Sequence, residues 1–460
     1  MQHNLVRVVL VVVLLALAIV VPVIASGYSE LRAASISDSY TEIAKHYWNA
    51  AQRLPWRGDA YELAGHAYYH AKEYAKADVA YQKAFHRNAL SADGWVAWGD
   101  VHYLQDDHVR AAQIWEQGVV QQDSSDSLYS RLAQTYQENR EYSKAADYLQ
   151  RYVAIHQEDA SAHYRLGLLL TLSDPSAALT ELISASQLDP QFDPAVETLR
   201  SALNLASLND SASARFVLVG RGLGLVHEWE LAQAAFESAV EADEENAEAW
   251  AWLGESKQQS AGDGSVELDR AYALDPKSST VRGLRGLHFQ RNGNFRAALA
   301  EFQAAAALDN TNPAWQVSMG ETYSKLGDLI SAMQAYQAAT ALVPENAEYW
   351  RMLAIFCAQN NVNVRDVGIP AAQQAVVLDS ENSASVEMLG WLLLLDARYE
   401  ESERMLVRAI ELDPNNALAH LHLGMLYLEK NDRALAQSHF VTARDLGNTD
   451  AQTILNQYFP

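Results

Sequence analysis

Residues 313–344 read PAWQVSMGETYSKLGDLISAMQAYQAATALVP, and this stretch contains the pattern that decides the fold of the 460-residue chain. Gly320 stands inside an apolar helical pattern, and Tyr323 follows it by three residues. Ala332 comes twelve residues after the glycine, and Tyr336 comes four residues later. Residues three and four apart share one face of a helix. The stretch therefore predicts two amphipathic helices, the second of which ends at the closing proline.

The same pattern recurs along the chain, mostly at intervals of 34 residues. The first helix of each copy contains a small residue, at Gly65, Gly99, Ala133, Gly167, Gly220, Gly254, Gly286, Gly320, Ala354, Gly390 and Gly424. Glycine inside a helix costs roughly 0.5–1 kcal/mol relative to alanine, so its recurrence requires a compensating gain. Close approach of two helix backbones provides that gain, because a larger side chain would prevent it.

On these positions the chain resembles the tetratricopeptide-repeat family, whose period is 34 residues, over about residues 38 to 450. The resemblance implies an all-α fold, a right-handed superhelical solenoid of about eleven helix-pair repeats. It also implies a concave groove, lined by the first helix of each repeat, in which such proteins hold other proteins or peptides.

Composition and motifs narrow the class of function. The formal charge of −24 would repel a phosphate backbone, so we expect no nucleic-acid partner. Cys357 is the only cysteine, which excludes an intrachain disulfide. The glycines of residues 220–224 superficially match a dinucleotide loop, but no strand precedes them and Gly220 is in repeat phase. The sequence contains no HExxH, Walker or CxxC motif, so we predict that the protein is not an enzyme and has no cofactor.

The N-terminal segment is a membrane signal. Residues 8–25, VVLVVVLLALAIVVPVIA, carry no charge and would span about 27 Å as a helix. We predict that residues 1–27 form a single transmembrane helix or signal anchor in the cell membrane. Arg7 before the run places the N-terminus in the cytoplasm and the repeats outside. The alternative is a signal peptide cleaved before Ser26, which would yield a secreted protein.

Breaks in the repeat period predict how the array is divided. Gly167 and Gly220 are 53 residues apart, one repeat plus about one helix, and the extra piece is residues 194–208. We therefore predict a first sub-array over 38–208 with an extra helix, and a second sub-array over 212–450. Residues 451–460 are predicted to form a capping helix over the last repeat.

Candidate groove residues differ between the two ends of the chain. Tyr69 and Tyr103 lie near the N-terminus, and an apolar set near the C-terminus comprises Trp391, Leu394, Leu395, Leu418, Leu421, Met425 and Leu428. Exposed on a groove, the apolar set would bind an amphipathic helix or a peptide. The alternative is that the superhelix is tight there or that the capping helix covers these side chains.

A polar set in the first repeats has the residue types of a metal site. Glu62, His66 and His70 share one helix face, and Asp100 lies on the next repeat, so together they offer two nitrogen and two oxygen ligands. The alternative is a solvated polar groove wall, which is the interpretation we prefer. We therefore predict no metal site and keep these four residues as the one candidate.

These observations predict a non-catalytic, membrane-anchored scaffold for protein–protein interaction. It would recruit or assemble proteins of a cell envelope or of a membrane complex through the groove, with proteins or peptides as ligands. Two alternatives are an accessory factor for polysaccharide or protein export, and a metal-binding protein that uses the Glu and His face. The preference for Arg over Lys and the Ala-rich repeats suggest a bacterial source.

Overall fold

A computed structural model describes residues 2–121 and 126–459 of the chain. The described residues are mostly α-helical and contain no β-strand. They form two compact units, Met1–Leu208 and Asn209–Pro460, which are treated separately below.

The N-terminal unit consists of five helix hairpins and one further helix. Its helices are α1 Gln2–Ile36, α2 Tyr40–Arg53, α3 Asp59–His70, α4 Tyr74–Phe85, α5 Ala92–Tyr103, α6 His108–Gln121, α7 Asp126–Glu138, α8 Tyr142–Ile155, α9 Ala160–Leu170, α10 Pro175–Leu188 and α11 Asp193–Ser207. A single 3₁₀ turn, Pro190–Phe192, precedes α11.

The C-terminal unit consists of seven hairpins and a terminal helix. Its helices are α12 Ala212–Leu225, α13 Trp229–Ala242, α14 Ala247–Gln259, α15 Ser265–Leu274, α16 Ser279–Arg291, α17 Phe295–Leu308, α18 Pro313–Lys325, α19 Leu329–Leu342, α20 Ala347–Asn360, α21 Ile369–Leu378, α22 Ser383–Leu395, α23 Tyr399–Leu412, α24 Ala417–Glu429, α25 Arg433–Asp445 and α26 Thr449–Tyr458. A π-helical turn, Val364–Gly368, precedes α21.

The recurring small residue allows each hairpin to close. A Cβ atom on Gly99 in α5 would lie 2.0 Å from the indole nitrogen of Trp115 in α6. Trp115 is 1 % exposed, and its indole N–H donates to the carbonyl oxygen of Val96 at 3.0 Å. Gly65 stands in the same relation to Tyr81, sixteen residues later. The spacing read from the sequence therefore matches a direct contact across the hairpin, and the prediction of an all-α repeat solenoid is confirmed.

Helix α1 extends further into the array than the sequence analysis expected, because it is both the apolar N-terminal helix and the first helix of a hairpin. Residues 25–36 lie 34 positions before α3, and they pack against α2. Gly27 is buried, and a Cβ atom there would lie 2.6 Å from Cγ of Leu54. The Glu30 carboxylate pairs with His46 and Arg53 on α2. The array therefore begins within α1 rather than at about residue 38.

One helix among the described residues is long and apolar enough to cross a membrane. This candidate span is Leu10–Ile36, with a mean hydropathy of 2.9 in its most apolar window. Leu17 and Ile19 are 50 % and 69 % exposed, so the N-terminal part of α1 makes little contact with the rest of the protein. By length and composition the helix could be a membrane anchor or a signal sequence.

Candidate functional site

A pocket of about 250 Å³ lies in the N-terminal unit, and three first helices of consecutive hairpins line it. Helix α3 contributes Tyr69, α5 contributes Asp100 and Tyr103, and α7 contributes Arg131 and Gln134. We call it the tyrosine pocket. It brings together the two groove tyrosines, Tyr69 and Tyr103, that the sequence analysis named.

The repeat pattern explains why these side chains meet. Tyr69 and Tyr103 each stand four residues after the recurring glycine, on the same side of α3 and α5. The glycine's own face is closed by the second helix of the hairpin, as at Gly65 and Tyr81. Residues beside that face remain available, so equivalent positions of successive first helices line a common surface.

An ion pair crosses the floor of the tyrosine pocket. The guanidinium of Arg131 donates two hydrogen bonds to the carboxylate of Asp100, one of them 2.8 Å long from Nη2 to Oδ2. The hydrogen bonds to Asp100 raise the pKa of Arg131. The Asp100 side chain is only 16 % exposed, so the paired arginine is needed to compensate its charge in the folded state. The pair also fixes α5 against α7.

A second carboxylate, that of Glu138, lies beside the pocket and binds the Tyr103 hydroxyl. The Tyr103 hydroxyl donates to both oxygens of Glu138, at 2.9 and 2.8 Å, and the Gln134 amide donates to Oε1 at 2.8 Å. The ring of His108 packs edge-on against Tyr103, with centroids 4.6 Å apart. Burial, together with the hydrogen bond to Glu138, raises the pKa of Tyr103, which therefore stays protonated near neutral pH. His108 Nδ1 also lies 3.8 Å from Oε2 of Glu138, so this carboxylate faces a tyrosine, an amide and an imidazole.

One buried polar atom in the wall of the pocket has no partner within the described residues. Thr135 is 1 % exposed, and its hydroxyl makes no hydrogen bond. A buried hydroxyl without a partner is uncommon and is typically satisfied by water or a ligand. The wall therefore contains the Thr135 hydroxyl, which has no partner, in addition to the ion pair, the tyrosines and the Gln134 amide.

Two of the four residues of the metal candidate contact each other, His66 Nε2 to Glu62 Oε1 at 3.4 Å, and each of the four also has other partners. Glu62 accepts hydrogen bonds from Ser91, one of them 2.9 Å long from the backbone nitrogen, while His66 contacts the Tyr81 hydroxyl at 3.0 Å. Asp100 is held by Arg131, as described above. His70 is exposed and lies against the ring of Tyr40, with centroids 5.2 Å apart. Among the described residues, no group of three or more His, Cys, Asp or Glu side chains is arranged to hold a metal ion.

Part of the apolar C-terminal set is closed. Leu421 is 3 % exposed and belongs to a cluster with Phe440 of α25 and Leu455 of α26. Met425 and Leu428 pack against the same cluster. Leu421 is therefore not part of an exposed apolar surface, whereas Met425 and Leu428 are half-buried beside the cluster that α25 and α26 complete.

The remaining members of the apolar set are more accessible, to different degrees. Leu395 and Leu418 are 40 % and 47 % exposed, and Leu394 is half-buried. Trp391, also half-buried, stacks on the ring of His422 with centroids 4.5 Å apart and an interplanar angle of 12°. His422 in turn contacts the buried Glu387, Nδ1 to Oε1, at 2.5 Å. A polar pair therefore lies directly beneath the tryptophan, which the sequence analysis did not anticipate.

Two family models, both described as tetratricopeptide repeat, match the sequence. One matches residues 289–355, and the other matches residues 61–127, 130–215 and 387–440, so together they match more than half of the chain. The chain belongs to the tetratricopeptide-repeat family. Proteins built from this repeat are typically non-catalytic and bind protein or peptide partners.

Several solved structures are similar to this tetratricopeptide-repeat chain. Yeast Tom70 is 16 % identical, with 96 % of this chain and 94 % of that chain covered and a TM-score of 0.40. The Cut9–Hcn1 hetero-tetramer of APC/C gives 14 % identity, 98 % coverage of both chains and a TM-score of 0.41. Pseudomonas aeruginosa PilF gives 20 % identity, coverage of 46 % and 98 %, and a TM-score of 0.38. A search of curated proteins found no match.

Proposed function

We propose that this protein is a membrane-anchored, non-catalytic scaffold that binds partner proteins in the tyrosine pocket on the extracytoplasmic side of a cell membrane. The observation that carries the proposal is the continuity of α1, whose exposed apolar part leads without a break into the first hairpin. An anchor that is also a structural helix of the array holds the binding surface close to the bilayer. The partners would be proteins of the envelope or of a membrane complex.

The retained anchor is favoured over a cleaved signal by the length of the apolar run and by its continuity with the first hairpin. Ser26 is half-buried and Gly27 is buried against Leu54, so the folded array encloses the chain immediately after the proposed cleavage site. The apolar residues before it extend away from the unit. A bilayer provides the environment in which such a surface is stable.

The chemistry of the tyrosine pocket favours an extended peptide segment with a basic side chain. The faces of Tyr69 and Tyr103 suit a cation, and the Glu138 carboxylate adds a negative charge beside the pocket, where it binds the Tyr103 hydroxyl. The Asp100–Arg131 pair leaves the floor electrically balanced. An amphipathic helix would need an apolar groove, whereas the wall of this pocket combines Leu104 and Trp115 with charged and amide side chains. The net charge of −24 favours the same class of partner.

The proposal is tested by isolating the full-length protein from its own membranes in mild detergent and identifying what copurifies. The double variant Tyr69→Ala, Tyr103→Ala should lose a stoichiometric partner that the wild-type protein retains. The control is Tyr40→Ala, Tyr458→Ala, which removes two exposed tyrosines outside the pocket.

The outcomes of this isolation are distinct. Retention of the partner by the pocket variant would overturn the assignment of the groove. A protein that elutes alone, soluble and starting at Ser26, would overturn the anchor. Copurification with a pore for polysaccharide or secreted protein would identify the assembly served as an export system.

A further inference from the structure

The turn between α2 and α3, residues 55–58, lies beside the place where α1 leaves its apolar stretch. The apolar run ends at Ala25, and Gly27 lies two residues later, about 3 Å further along the helix axis. Leu54 packs on Gly27 at the end of α2, which runs antiparallel to α1. Helix α3 then begins at Asp59, in repeat register with Ala25. This inference rests on the proposed function, in which α1 crosses the bilayer, and the turn is then level with the lipid headgroups.

The turn has the residue types that prefer a membrane–water interface. Trp56, at the centre of the turn, is 57 % exposed. Tyr28, one residue past Gly27 on α1, is 51 % exposed. Tryptophan and tyrosine concentrate at this interface, where an apolar ring and a polar N–H or O–H are both satisfied. More than half of the Trp56 surface is therefore available for contact with lipid headgroups.

Basic side chains flank the tryptophan. Arg57 follows it directly and pairs with Asp59 at 2.7 Å while keeping 36 % of its side chain exposed. Arg87, in the next turn of the same edge, is exposed and donates from Nη1 to the carbonyl oxygen of Pro55 at 2.6 Å. This hydrogen bond joins the turn after α4 to the turn after α2, so both guanidinium groups occupy the same edge.

The charge of the chain is distributed in the way that an anionic lipid surface requires. Residues 26–90, which follow the apolar run, contain eight Lys and Arg against seven Asp and Glu, a net charge of +1. Residues 91–460 contain 25 Lys and Arg against 51 Asp and Glu, a net charge of −26. Anionic lipids would repel most of the array, whereas the segment next to the anchor is the one that they would attract.

We infer that the turn of residues 55–58, with Trp56, Arg57 and Arg87, docks on the anionic headgroup surface of the bilayer that α1 crosses. Trp56 inserts its ring among the headgroups, and the two arginines contact lipid phosphates. Three points of contact, α1 and the turns after α2 and α4, then fix the orientation of the first hairpins on the membrane. A single flexible tether would leave that orientation free.

A fluorophore attached at single cysteines measures the depth of each position in the full-length protein, reconstituted in equimolar phosphatidylcholine and phosphatidylglycerol vesicles. The background is Cys357→Ala, and the labelled variants are Leu17→Cys, Trp56→Cys and Tyr40→Cys. Tyr40 is the matched control, because it is 53 % exposed and lies at the opposite end of α2, about 20 Å from the turn. Quenchers are nitroxide lipids labelled at the headgroup or along the acyl chain.

The expected result is strong headgroup-nitroxide quenching at position 56, acyl-chain quenching at position 17 and neither at position 40. If position 17 is quenched but position 56 resembles position 40, the docked turn is refuted while the anchor stands. If position 17 is not quenched by lipid, the anchor itself is refuted, and with it the proposed function on which this inference rests.

A charge variant separates lipid recognition from simple proximity. Arg57→Gln, Arg87→Gln should reduce headgroup quenching at position 56 in phosphatidylglycerol vesicles to the level seen with phosphatidylcholine alone. The control, Lys72→Gln, Arg110→Gln, removes two exposed positive charges at the other end of the hairpins, one in the α3–α4 turn and one in the first turn of α6, and should leave quenching unchanged. Equal quenching in both lipids for the wild-type protein would overturn the role of the arginines.

Discussion

Replacing Leu421 by alanine tests whether the apolar face of α24 is closed or open to a partner. Leu421 is 3 % exposed and packs with Phe440 and Leu455, so its truncation leaves a cavity in a cluster to which three helices contribute. Such a truncation costs about 2–5 kcal/mol. Leu418 lies one turn earlier on the same helix and is 47 % exposed, so Leu418→Ala should change stability by about 0.5 kcal/mol or less.

Hydrogen exchange of the full-length protein, followed by mass spectrometry, measures this difference locally. A loss of about 3 kcal/mol in opening free energy lowers amide protection in α24, α25 and α26 by roughly 100-fold. Because repeats contact only their neighbours, peptides from α3 to α5 should be unaffected and serve as an internal reference. Equal protection in the two variants would refute the reasoning, since it would mean that Leu421 is solvated and that the apolar face is available for docking.

The structure predicts the direction of three further effects on the stability of the protein. Arg131→Gln leaves Asp100 without its ion pair, and we expect a loss of about 1–2 kcal/mol, seen as a lower urea midpoint for the N-terminal unit. Burial lowers the pKa values of His420 and His439 from 6.5 in the folded protein. As the pH falls, these histidines are therefore protonated in the unfolded chain at a higher pH than in the folded one. Amide protection of the α24–α25 hairpin should therefore fall as the pH drops below about 6.5, and His439→Gln should reduce that fall. Ala397 has a φ of 58°, so Ala397→Gly should stabilise the protein by about 0.5–1 kcal/mol in thermal unfolding.

The repeat architecture could be predicted because its signal is a contact at fixed spacing. Gly99 and Trp115 are sixteen residues apart in the sequence and touch across the hairpin, and the same spacing relates Gly65 to Tyr81. A self-alignment detects such pairs directly, without knowledge of any other protein. The order of the helices after the first hairpin follows from it.

The first hairpin escaped the same procedure because its first helix lacks the signature. Leu31 occupies the position of the recurring glycine, and Gly27 occupies the position where other repeats have a large residue. The two helices still approach closely, because the Leu54 side chain packs on Gly27 as the Tyr81 side chain packs on Gly65. The high hydropathy before residue 25 also indicated a membrane segment and not the first helix of a repeat. The first hairpin therefore also packs a small residue against a large one, but it does so at different positions of the repeat.

The candidate site could be predicted only in part. Tyr69 and Tyr103 follow from their place beside the glycines, whereas Asp100 was assigned to a metal hypothesis and Arg131 was not considered. Arg131 lies 31 residues after Asp100, about one repeat on, so neighbouring first helices bring the two together. Charge complementarity between successive repeats would have revealed the pair. Burial of Leu421 depends on α25 and α26 both contributing to one cluster, and a single helix pattern does not contain that information.

The double role of α1 gives the two possible fates of the N-terminus different physical consequences. Cleavage before Ser26 would leave Gly27 and Glu30 in place, so the first hairpin would keep its contacts with Leu54, His46 and Arg53. The array would then fold and be released, without the helix that holds it at the bilayer. Retention instead joins the same hairpin to the bilayer by a continuous helix with no flexible linker. The rigidity of that junction, rather than the presence of the repeats, is what makes a tethered scaffold with a fixed orientation possible.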